Sequence, residues 1–140
     1  MLRPTSLSIC LILLAAAKSP AEPAFEHYVA GNPADADTPT QGLVVLQGGG
    51  TDVDPNYVRM GEASGGGDFL VLRASGADEY NAYVLDFCNC DSVETIVFHD
   101  RSAAYDPFVA RTIRRAEALF IAGGDQSRYV RFWKDTPVED

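Results

Sequence analysis

Directly behind the apolar residues Phe120 and Ile121 stand two glycines, a carboxyl and a carboxamide: Gly123, Gly124, Asp125 and Gln126. Apolar residues then resume at helical spacing with Tyr129, Val130 and Trp133, which read as core. A strand that breaks on glycine and restarts as a helix leaves backbone N–H groups free beside a helix N-terminus, an arrangement suited to an oxyanion. Gln126 offers both a donor and an acceptor to a bound peptide or amide. Asp125 is a candidate substrate contact beside it, and is also the residue type that caps a helix N-terminus. A second glycine run, Gly48, Gly49 and Gly50, follows Leu43–Gln47 and could cradle a phosphate or line a pocket. Its spacing fits neither the dinucleotide fingerprint nor the P-loop, and no lysine follows it. A flavodoxin-like nucleotide binder therefore ranks below a peptide pocket.

Other reactive residues are isolated. His99 could act as a base for Ser102 or Ser75, but neither serine lies in the G-x-S-x-G turn that exposes a nucleophile. Cys88 and Cys90 have only Asp91 and His99 as neighbouring ligands, too few for a zinc site. In an oxidising compartment they could pair with each other or with other partners. No metal or cofactor is expected.

The elements that would position these residues read as α/β. Short, continuous apolar runs at 43–47, 68–73, 95–100 and 118–123 fit strands covered on both faces, as in a parallel sheet. Between them, Tyr80, Tyr83, Val84 and Phe87 form one apolar helical stripe. Asp106-Pro107 opens another helix that buries Val109, Ile113 and Ala116 and leaves Arg111, Arg114 and Arg115 outside. A weaker helix, interrupted by Gly61, spans 54–63. The alternation predicts a doubly wound, mostly parallel α/β sheet, in which ligands collect at the carboxyl ends of strands. Thr136-Pro137-Val138-Glu139 is a capping box that predicts a helix start at the end of the sequence. With only four strands, the chain reads as the amino-terminal portion of a larger domain, truncated after about four strands.

The 140 residues are 46% hydrophobic and 22% charged, a globular composition. Residues 1–17, with Arg3, an apolar stretch from Leu7 and an Ala15/Ala17 pair, read as a secretory signal peptide cleaved at 17 or as late as 21. Residues 18–41, rich in Pro, Ala and Asp, read as a flexible lead-in, and 42–140 as the folded part. Removing Arg3 leaves 10 basic against 20 acidic residues, a net of −10. Such a charge repels phosphate backbones and anionic lipid, so neither nucleic acid nor a membrane is an expected partner of the secreted chain.

The blocks GLVVLQGGGTDVD, GGGDFLVLRASGADEYNAYV, RSAAYDPFV and IRRAEALFIAGGDQSRYVRFWKDTPV resemble successive blocks of the cyanophycinase family, serine-type peptidases related to aspartyl dipeptidase E. The likeness runs from Gly42 to Val138, with AEALFIAGGDQ its most specific part, and is greatest to exported, eukaryote-type members. It implies a class I glutamine amidotransferase-like (flavodoxin-like) three-layer sandwich. It also implies a hydrolase that cleaves aspartyl-linked, arginine-containing peptides such as cyanophycin. Gln126 then matches a substrate-pocket residue, and Gly123 and Gly124 the oxyanion side. The family's serine stands in a G-T-S-A-G-type elbow on a later strand, followed by its histidine and acid. None of these is among the 140 residues, so the chain alone is expected to be inactive. The alternative expectation is a non-catalytic secreted binding protein that keeps the glycine-loop pocket or forms a homodimer through its open sheet edge.

Overall fold

A computed structural model describes residues 22–140. The signal peptide read at 1–17, or up to 21, lies outside the described residues. Four strands, β1 (Phe25–Gly31), β2 (Asp68–Arg73), β3 (Ser92–Phe98) and β4 (Ala118–Ile121), form one sheet in the order β1-β3-β2-β4. β2 pairs in parallel with β3 and with β4, whereas β1 runs antiparallel to β3. Among the described residues, four helices accompany it: α1 (Asp54–Ala63), α2 (Glu79–Cys88), α3 (Pro107–Arg115) and α4 (Gln126–Trp133). A 3-10 turn at Arg101–Tyr105 precedes α3.

β2 is central because its sequence is apolar on both faces. Phe69, Leu70, Val71 and Leu72 are all at most 2% exposed, each worth roughly 2 kcal/mol in burial. Alternation divides them between two cores. Leu70 and Leu72 meet Ile96, Phe98, Val109 and Phe132 under α3 and α4, while Phe69 and Val71 meet Tyr57, Val84 and Val93 under α1 and α2. Helices thus cover both faces of a mixed, mostly parallel sheet. The predicted stripes seat as expected. Val84 is buried with Tyr80, Tyr83 and Phe87 packed around it. The Asp106 carboxylate caps α3 by accepting the Phe108 amide at 2.7 Å. Gly61 does not weaken α1 without return, since a Cβ there would lie 1.8 Å from the Cys88 carbonyl oxygen. Its absence lets α1 and α2 touch.

Several expectations need correction. Leu43–Gln47 is not a strand. It lies beside α1 and β4 and helps line a groove of about 460 Å³, with Val44 85% and Leu46 94% exposed. A run apolar on both sides needs two covering layers, and here only one side is covered. The fourth strand comes instead from the segment read as a flexible lead-in. Phe25–Gly31 carries Phe25 and His27 toward α3, with Glu26 and Tyr28 between them, the period-2 alternation of an edge strand. It is antiparallel, so the sheet is mixed. β3 begins at Ser92, three residues before the expected start, and ends at Phe98. β4 is four residues long and stops at Ile121. Val130, grouped with Tyr129 and Trp133 as core, is 59% exposed, and Phe132 fills that place. The capping box closes a turn and no helix: the Thr136 hydroxyl donates to the Trp133 carbonyl, and Glu139 accepts the Asp135 amide. Of the pairings left open for Cys88 and Cys90, the disulfide between the two is the one formed. Among the described residues, no helix is long and apolar enough to cross a membrane.

Candidate functional site at the carboxyl end of the sheet

The chain leaves β2 and β4 in opposite directions. After β2 it turns to α2, on the face of Val71 and Val84, and after β4 it turns to α4, on the face of Leu72 and Phe132. Adjacent parallel strands whose loops diverge this way open a crevice between them, the usual ligand position in such sheets. Residues 74–78 and 122–125 border it.

The β4 side of the crevice is shaped by where the sheet ladder stops. The Ala122 amide still donates to the Leu72 carbonyl at 3.1 Å. One step on, the Ala74 carbonyl accepts from the Arg128 guanidinium at 3.0 Å, so the ladder ends before Gly124; neither the Gly123 nor the Gly124 amide has an acceptor among the described residues. Gly124 adopts φ +152°, and a Cβ there would lie 3.5 Å from the Tyr129 hydroxyl and 4.0 Å from Ser75 Oγ. Glycine is needed here by conformation, since both distances are ordinary contacts that a Cβ could make. Tyr129 fixes the turn from below, donating to the Ala122 carbonyl at 2.7 Å. Burial raises the pKa of its phenol, which keeps it the donor.

Asp125 serves as the N-cap of α4, accepting the Ser127 amide at 2.9 Å. Its hydrogen bonds from Ser127 hold its carboxyl below the usual aspartate range. That anchored carboxylate is a poor proton donor or acceptor for catalysis. Gln126 stands at the first position of α4, exposed and with its carboxamide unengaged. Gly123, Gly124, Asp125 and Gln126 therefore sit together at the crevice as the sequence suggests.

Gly48, Gly49 and Gly50 stand in open surroundings, with no atom within 4 Å of a Cβ built at any of the three. Gly48 and Gly49 do not serve close backbone packing, whereas Gly50, at φ +132°, is required by its conformation.

Sequence reasoning missed the polar hub beyond that loop. The Asp52 carboxylate accepts from the Tyr57 hydroxyl at 2.8 Å, Gln47 at 3.1 Å and the Tyr80 hydroxyl at 3.3 Å. Burial, then Asp52, drives the Tyr57 phenol far above the ordinary range. A hydrogen bond to the Asp54 carboxylate pushes Tyr83 up to about 12. With Arg73, Glu79, Tyr80 and Tyr83, Asp52 lines an open cleft of about 450 Å³. Arg73 ends β2, pairs with Glu79, donates to the Ala77 carbonyl at 2.9 Å, and stacks 5.1 Å over Tyr80. It holds the β2 loop in shape. A polar residue closing an apolar strand, and an acid after a glycine run, were the available signals.

The proposed base and nucleophiles are not brought together. His99 lies 3.3 Å from Glu26 on β1, and neither Ser75 nor Ser102 bonds to it. What remains at the crevice is a set of donors, the Gly123 and Gly124 amides, the Ser75 hydroxyl and the Gln126 carboxamide. Such a set can hold a carbonyl or carboxylate oxygen. No family model matches the chain, and neither a curated protein nor a solved structure matches it significantly.

Proposed function

We propose that the chain provides the substrate-pocket portion of a secreted serine-type peptidase of the cyanophycinase kind, with a class I glutamine amidotransferase-like fold. Its ligand is an aspartyl-linked peptide or isopeptide, with arginine as the favoured second residue. The observation that carries this reading is the divergence of the β2 and β4 loops around the unengaged Gly123 and Gly124 amides, with Gln126 at the rim. Those amides donate to a substrate carbonyl or carboxylate oxygen, and Gln126 hydrogen-bonds the peptide group. The preference for arginine rests on the block resemblance, since the guanidinium over Tyr80 in the neighbouring cleft is the chain's own Arg73. The block resemblance supplies the reaction class.

Because no serine here stands in a nucleophile elbow and His99 is committed to Glu26, the chain alone binds without turnover. Calorimetric titration with β-aspartyl-arginine, with product analysis of the same sample, tests this. Saturable binding, weakened by Gln126→Ala and unaccompanied by hydrolysis, is expected. No saturation, or binding indifferent to Gln126→Ala, would overturn the reading.

A further inference from the structure

A second site lies at the opposite end of β2 and does not depend on the peptidase reading. We propose that the cavity beneath the C-terminal turn of α3 binds a small organic monocation, a primary alkylammonium or alkylguanidinium. The cavity holds about 220 Å³, below the roughly 300–1,000 Å³ that drug-sized ligands occupy. It therefore suits a short amine.

Its polar wall is out of place by the rules that shape the rest of the sheet. Glu94 shares a face of β3 with Ile96 and Phe98, both 0% exposed, where an apolar side chain would pack without a desolvation cost. Instead its Oε2 lies 2.6 Å from His27 Nε2, contributed by β1 across the register. The pair is about three-quarters buried, and Oε1 of Glu94 has no hydrogen-bond partner among the described residues. Departures from local packing rules of this kind concentrate at functional sites.

The charge around that oxygen favours a cation. Asp68 is 6% exposed and accepts from the Ala36 amide and the Ser92 hydroxyl. Asp35 stands at the rim, where Arg115, 3.8 Å away and mostly solvent-exposed, is the lone guanidinium against three carboxylates. The last carbonyls of α3 point toward the same end and add negative potential. Val29, Leu70 and the Phe108 ring form the apolar wall for an alkyl stem. The ammonium would donate to Glu94 Oε1 while the stem lies along Phe108.

Titration of the folded chain with n-butylammonium, followed by amide NMR shifts and calorimetry, tests the proposal, with n-butanol and butyrate as isosteres. Expected are saturable shifts centred on Glu94, Phe108 and Thr112, absent with either isostere. Glu94→Gln keeps the shape and should weaken binding at least about tenfold, the usual effect of losing a charge-assisted bond. Ala116→Leu, which fills the cavity from the end of α3, should abolish binding while circular dichroism remains unchanged. No saturation at millimolar amine, equal binding of butanol, or unaltered affinity in Glu94→Gln would each overturn it. Since Gly123 and Gly124 lie at the other end of the strand, failure here leaves their shifts with β-aspartyl-arginine unaffected, and the two readings fail separately.

Discussion

The two ends of the central sheet are built from different materials. At the carboxyl end, the groups of the proposed pocket are the backbone amides of Gly123 and Gly124, the latter left without the Ala74 carbonyl that Arg128 takes. At the amino end, the polar groups that line the cavity are side chains, Glu94, His27 and Asp68, beside apolar layers. Backbone donors are held by turn geometry, so most side-chain changes nearby leave them in place. Buried side-chain groups depend on their partners, and removing one strands the other. The amino end should therefore be the more fragile to substitution, and the carboxyl end the more sensitive to backbone conformation.

The largest effect should come from Asp68→Ala, which leaves Ser92 Oγ and the Ala36 amide without their acceptor in a buried setting. A loss of about 3 kcal/mol by urea unfolding is expected, and a loss under about 1 kcal/mol would break the contrast. Gly124→Ala comes next, about 1–2 kcal/mol, because φ +152° is strained for any residue with a Cβ. Tyr129→Phe removes the bond to the Ala122 carbonyl and should cost about 1 kcal/mol, with the Gly123 amide resonance broadening as the turn loosens. Gly48→Ala and Gly49→Ala should stay within about 0.5 kcal/mol, since nothing surrounds either position. If either exceeded Gly124→Ala, the glycine run would have a structural duty that its open surroundings do not suggest.

The smallest effect is one of pH. The folded-state pKa of Asp125 lies below its unfolded value, mainly through the hydrogen bonds from Ser127. Its stabilisation is therefore fully present above the unfolded aspartate value of about 3.9 and is lost as pH falls through the lower folded value. Asp125→Asn retains a capping side chain but cannot titrate. Its melting temperature should fall less steeply than wild type in that acid window and match it near neutrality.

Much of this was legible before any coordinates. Phe69–Leu72 announced a central strand by being apolar on both faces, and Asp106-Pro107 announced a capped helix. Leu43–Leu46 has the same appearance as β2 yet stands outside the sheet, because an apolar run states a need for cover and cannot state what supplies it. β1 was hidden for the opposite reason. Its alternating Phe25-Glu26-His27-Tyr28 is short and bracketed by Pro23 and Pro33, so the punctuation outweighed the pattern. At the site, Gly123–Gln126 could be read because a turn is local. Asp52 could not, since its donors Tyr57 and Tyr80 come from two helices, and His27 and Glu94 are 67 residues apart.

Amide NMR of the folded chain titrated with β-aspartyl-arginine tests the central claim most directly. The account expects saturable shifts at Gly123, Gly124 and Ser75, sharply reduced in Gln126→Ala and absent at Gly48 and Gly49. Shifts confined to other surfaces, or none at millimolar peptide, would contradict a substrate pocket between β2 and β4.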